Sequence, residues 1–164
     1  MRSLWLWARG RRAGVGPGDV PIGYANEQLP FLIVLAGVLA VETAVVGLLV
    51  PWWWIHVVDV LAVLQVLGVA ASLVTHPHVL TPDTLVLRNG GRTVLVIPRS
   101  AIVDARAERR YHDGRTEQRD DEELRLVVGN QTDVVVRLDP PVDGLRRVRF
   151  RADDPRAALT SVNA

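Results

Sequence analysis

Two apolar runs placed back to back constrain this chain more than any other feature. Phe31 to Val50 supplies 20 residues, and Trp53 to Val74 gives a second run of similar length. At ~1.5 Å of rise per residue, 20 helical residues cross a hydrocarbon core ~30 Å thick. The first run holds 13 Phe, Leu, Ile and Val residues and one central acid, Glu42. Each apolar residue favours insertion by roughly 0.3 to 0.6 kcal/mol, and together they outweigh a carboxylate cost of about 2.5 to 3.5 kcal/mol. A buried soluble hairpin would need a larger surrounding core than 164 residues supply. The runs predict a transmembrane helical hairpin over residues 31–75, with helices at 31–50 and 53–74.

The connection, VPWWW, is short, and Pro51 stops the first helix. Trp52, Trp53 and Trp54 suit a membrane interface, where ring and N–H each find their medium. All 19 cations are Arg, and none lies within 31–75. Arg2, Arg9, Arg11 and Arg12 precede the first run, while Arg88 and Arg92 follow the second. The positive-inside rule then places both termini in the cytoplasm, and the expected location is the inner (cytoplasmic) membrane. The opening MRSLWLWARGRRAGVGPGD is too short in its apolar part, and too Arg-rich afterwards, for a secretory signal, and SLWLWARGRR within it is expected along the membrane surface.

In an antiparallel hairpin Glu42 falls level with Asp59 and Ala62, and His56 and Asp59 share a helix face. Glu42, His56 and Asp59 are therefore candidate intramembrane polar contacts. Two readings stand: a clasp that fixes hairpin register, and a proton-handling cluster. Ala36, Ala40, Ala44 and Gly47 form a small-residue stripe that would permit close helix packing. Glu42 points almost opposite to that stripe, so one of the two features should meet another chain.

Beyond Thr81 the pattern becomes β-type. TLVLR and RTVLVI flank NGG, a hairpin signal, because Gly tolerates positive φ. AIVDARAE, ELRLVVG, DVVVRL and RRVRF bring the total to about six strands. DDPRAALTSVNA offers Asp154 as a helix cap and Pro155 at the first helical position. The polar stretch 108–123, ERRYHDGRTEQRDDEE, is expected as a loop or extended hairpin tip, and HPH (76–78) as a stiff linker.

LTPDTLVLRNGGRTVLVIPRSAIVDARAE resembles the opening of bacterial PH-like domains, which often follow a membrane hairpin. The likeness rests on the first strand, the glycine turn, and Ile97-Pro98 followed by Ile102 and Val103. It implies a strongly bent β-sandwich or barrel plugged at one end by the C-terminal helix. Some PH domains bind phosphoinositides through basic clusters on the first hairpin. Here only Arg88 and Arg92 stand there, as possible headgroup contacts worth about 1 kcal/mol each near a membrane surface.

The expected fold class is thus an α+β membrane protein. It comprises a cytoplasmic N-terminal segment (1–30), a transmembrane hairpin (31–75) and a PH-like β domain (79–164). With no Cys, disulfide and thiol chemistry are excluded. No nucleophile–base pair or metal-ligand spacing is present, and the mixed charge of 108–123 suits neither nucleic acid nor a polybasic lipid patch. The run Asp120, Asp121, Glu122 and Glu123 matches no calcium loop. No cofactor, metal or nucleic acid is expected. The function expected is a non-catalytic scaffold or accessory subunit that presents an interaction domain. Its partners would be membrane lipid and either a second copy or another membrane protein. The alternative is a transport subunit that uses Glu42, His56 and Asp59 for protons or ions.

Overall fold

A computed structural model describes residues 2–163. A short helix α1 (Arg2–Ala8) and strand β1 (Val20–Ile22) precede two long apolar helices, α2 (Leu29–Leu49) and α3 (Trp53–Thr75). Pro30 sits in the first turn of α2, where its missing N–H costs nothing. The helix ends at Val50, which takes the extended conformation (φ −116°, ψ 117°) that a following proline demands. α3 likewise ends just before a proline, with His76 at φ −121° and ψ 67° ahead of Pro77.

Eight further strands follow: β2 (His78–Leu80), β3 (Thr84–Asn89), β4 (Arg92–Pro98), β5 (Ile102–Tyr111), β6 (Glu117–Asp120), β7 (Glu123–Leu126), β8 (Gln131–Val142) and β9 (Leu145–Phe150). A C-terminal helix, α4 (Pro155–Asn163), closes the chain. The strands form two sheets, ordered β1-β2-β3-β4 and β5-β8-β9-β7-β6. All neighbours are antiparallel except β7 and β9. The architecture is therefore α+β, with two long apolar helices ahead of two sheets and a C-terminal helix.

Alternation along the strands builds one core between the sheets. Leu85 and Leu87 on β3, Leu95 and Ile97 on β4, Val134 and Val136 on β8, and Val148 and Phe150 on β9 point inward. Ala158 and Val162 bring the apolar face of α4 onto this core. Asp154 caps α4, its Oδ1 accepting the Ala157 N–H at 3.0 Å. At the NGG turn Gly90 has φ +56°, open to glycine at little cost.

Two expectations are corrected. Strands number nine among the described residues, because β1, β2 and β6 add to the six expected. β6 lies inside the stretch expected as a loop or extended hairpin tip; its residues EQRD carry no apolar alternation, and antiparallel pairing to β7 makes it one arm of a hairpin. HPH is not a linker, since His78 opens β2 and is buried. Within the N-terminal segment, β1 pairs with β2, joining Val20 to Leu80 and Ile22 to His78.

Phe150 is fully buried at the centre of the core. Phe150→Ala is expected to destabilise the domain by about 3 to 5 kcal/mol. Val96→Ala, on the outward side of the edge strand β4, should cost no more than about 1 kcal/mol. Chemical denaturation of the detergent-solubilised chain, followed by circular dichroism, compares the two.

Candidate functional site

The junction between the apolar helices and the β domain concentrates the buried polar groups of this chain. Two turns of the domain reach the helix bases. The β3–β4 turn abuts the last turns of α3: a Cβ on Gly90 would lie 3.0 Å from Ser72 Oγ, and one on Gly91 would lie 3.8 Å from His76 Nε2. Val128, just before β8, packs with Tyr24, Ala25 and Leu73 of α3. No flexible tether intervenes, since α3 passes into β2 across His76 and Pro77 alone.

His78 is the hub. Its ring stacks on Tyr24 at 4.5 Å and meets the Phe150 ring edge-on at 5.3 Å. Nδ1 accepts the Arg88 N–H at 3.0 Å, so the neutral ring carries its proton on Nε2, a buried atom with no partner. Complete burial pushes the His78 pKa down to about 3, with the Arg88 charge adding to the effect. Tyr24 completes the contact, its hydroxyl accepting the Gly90 N–H at 2.8 Å. Burial pushes the Tyr24 hydroxyl pKa up.

An ionic network ties the start of α2 to the same place. Glu27, two residues before α2, pairs with Arg151. Arg151 also lies 2.9 Å from Asp133, which accepts from Arg109 Nε at 3.0 Å. Arg151 and Asp133 are both nearly inaccessible. Beside them Arg149, also buried, bridges β5 and β7 by donating to Glu108 at 3.1 Å and Glu123 at 2.6 Å. Desolvation pushes both carboxyls up, but the Arg149 bond and the Arg110 and Arg125 charges outweigh it and hold them below the usual range.

The residues singled out in sequence are distributed differently. Gly47 lies opposite His56, with 3.9 Å between its Cβ position and the imidazole. Antiparallel counting then puts Glu42 level with about Leu61, close to the expected depth but on an exposed flank of α2. His56 Nε2 bonds the Val50 carbonyl at 3.0 Å, satisfying the frayed end of α2. Asp59 is half-buried. Among the described residues no ion pair or hydrogen bond joins Glu42, His56 and Asp59, so a clasp of these three does not form within one chain.

The small-residue stripe also departs from expectation. Ala36 is buried, whereas Ala40 and Ala44 are exposed. The less exposed line on α2 follows Leu32, Ala36, Leu39, Thr43 and Val46, alternating steps of four and three. Steps of four alone rotate by about 40° each on a 100°-per-residue helix. Ala40 and Ala44 have therefore turned off the contact line.

The two cations of the first hairpin are engaged within the chain. The Arg88 guanidinium donates to the carbonyls of Ala13 (2.8 Å) and Gly14 (3.2 Å), and Arg92 pairs with Glu117. Gly14, beside that guanidinium, has φ +61°, a conformation open to glycine at little cost. Sequence reasoning missed Tyr24, His78, Asp133, Arg149 and Arg151. The alternation of Arg149 and Arg151 with Val148 and Phe150 was visible, but it reads as an outward solvated face. Only the packed fold shows that this face is covered.

At the far end of the domain an open groove of about 680 Å³ sets Asp120, Asp121, Glu122 and Glu123 against Arg137, Arg146 and Arg147. Arg146 Nε lies 3.2 Å from Glu122, and Arg125 pairs with Asp120 and Glu123. Among the described residues no group of three or more His, Asp and Glu is placed to hold a metal ion. His112 Nε2 lies 2.9 Å from Thr132 Oγ1, but that hydroxyl belongs to a residue with no exposed surface and is closed to a substrate. No protein-family model, no curated protein and no solved structure matches this chain.

The buried His78 generates a pH dependence. Between about 3 and its ordinary value of 6.5 the unfolded chain binds a proton that the folded chain refuses. Its stabilising contribution is whole above pH 6.5 and is lost progressively as pH falls toward about 3. His112, lowered by partial burial and the Arg125 charge, acts in the same direction. Equilibrium denaturation between pH 7 and 5, above the carboxylate range, should show falling stability. His78→Asn, which keeps an acceptor for the Arg88 N–H, should flatten most of that slope.

Proposed function

We propose that this chain is a membrane-anchored, non-catalytic module of PH-like architecture, with α2 and α3 crossing the bilayer as a hairpin. One observation carries this reading. Of the most apolar 18-residue window of each helix, only 6% is buried in α2 and 11% in α3. A soluble core helix would be covered, yet Leu48 and Leu49 stand 86% and 76% exposed. A helix apolar around its whole circumference and left bare by protein is matched to lipid.

Other features agree. The exposed Trp52, Trp53 and Trp54 at the hairpin turn suit one interface. Arg9, Arg11, Arg12, Arg88 and Arg92 lie at the other end, which supports a cytoplasmic β domain at the inner membrane. Two sheets around one core with a C-terminal helix agree with the PH-like resemblance. The direct fusion of α3 to β2, reinforced by Glu27–Arg151, would hold that domain in a fixed pose.

The exposed Glu42 makes a second membrane chain the natural partner, because an intramembrane carboxylate facing lipid is costly. That chain would be a further copy or another membrane protein, and the module its scaffold or accessory subunit. Proton or ion transport is the weaker reading, since Glu42, His56 and Asp59 form no connected path within the chain.

The absence of cysteine makes topology directly testable. In intact cells a membrane-impermeant maleimide should label Trp53→Cys from outside and label Asp121→Cys only after permeabilisation. Equal labelling of both without permeabilisation would contradict the hairpin.

A further inference from the structure

The ends of the strands reveal how the β domain stands relative to the helix bases. β5 ends at Tyr111, whose partner on β8 is Gln131. The Gln131 amide lies 3.5 Å from the Glu27 carboxylate, two residues ahead of α2. Val128, in the same turn, packs against Leu73 in the last turn of α3. The end of β5 is therefore level with the points where both apolar helices emerge. The ladder continues one bond further in the same direction, with His112 N donating to Asn130 O at 2.8 Å.

Tyr111 is 75% exposed there, as much as any Trp of the hairpin turn. A lone exposed Tyr in water is ordinary, but at headgroup depth the ring enters an apolar edge while its hydroxyl stays wet. Arg115, in the same loop, is exposed. Among the described residues its guanidinium has no hydrogen-bond or ion-pair partner, whereas Arg109 and Arg110 are held by Asp133 and Glu108.

We propose that the loop joining β5 to β6 is a second membrane contact. Tyr111 sits in the headgroup layer and Arg115 pairs with lipid phosphate, so that the β domain rests on the bilayer by this end of its strands, beside its own hairpin. This inference rests on the anchored reading above, and it assigns to the lipid surface a loop distinct from the Arg88 and Arg92 hairpin. Asp113 offsets the charge of Arg115. Ring insertion rather than bulk attraction then carries the contact, which should persist at high salt.

Single cysteines carrying an environment-sensitive fluorophore, in the full chain reconstituted into phosphatidylcholine–phosphatidylglycerol liposomes, test it. Asp113→Cys should emit to the blue and lose intensity with headgroup-attached spin labels, whereas Asp121→Cys at the far end should do neither. Adding Tyr111→Ser to Asp113→Cys should reverse much of that quenching, and adding Arg115→Ser a smaller part of it. Val41→Cys, in α2, reports the hairpin through acyl-chain spin labels. If Val41→Cys is quenched while Asp113→Cys behaves like Asp121→Cys, the loop contact is wrong and the anchor stands. Quenching of Asp113→Cys that ignores both serine substitutions would overturn the roles given to Tyr111 and Arg115. If Val41→Cys is not quenched, the anchored reading fails, and the loop contact with it.

Discussion

Apolar surface that the protein does not cover governs this structure. α2 and α3 pack on each other, α1 and two turns of the β domain cover part of α3, and most of the remaining surface of both helices presents apolar side chains outward. The β domain does not cover that surface, and its own core is closed by two sheets and α4. Burying such surface in an apolar medium is favourable, and the anchored reading supplies one in lipid. The junction joins this pair of helices to a two-sheet fold with a core of its own.

That join is made without a tether. The residues between α3 and β2 are too few to flex freely, and both helix bases are pinned. α3 is held by the turns at Gly90 and Val128, and α2 by Glu27 on Arg151. His78 shows the cost of this economy. Where the long apolar helix α3 passes straight into a core strand, an imidazole sits between aromatic rings with one nitrogen unpaired. The ring remains neutral because the fold leaves no room for its charge. Arg149, Arg151 and Asp133 extend the same principle: buried charges tolerated because each has an opposite partner across strands. Such a network fixes strand neighbours more than it adds stability.

The parts legible in sequence were those carried by periodicity. A run of apolar residues long enough to span lipid, and the alternation in TLVLR, RTVLVI, DVVVRL and RRVRF, specify elements whatever their neighbours. Asp154-Pro155 announced α4 by cap chemistry alone. β1 and β6 were hidden because three residues of VPI and four of EQRD have no pattern of their own and become strands only by pairing. The polar junction was hidden for a related reason. Burial of Arg149, Asp133 and His78 is a property of the packed whole, and each residue reads locally as solvated. For Glu42 the depth could be counted along the chain, but its flank depends on helix-pair rotation, which a stripe stepping by four misjudges.

Alkaline carbonate extraction of membranes containing the full chain, followed by flotation, probes the uncovered helices most directly. Because α2 and α3 need lipid around them, the chain should stay with the floated membranes and require detergent for release. Recovery in the carbonate supernatant, as a monodisperse protein in plain buffer, would contradict the account at its foundation.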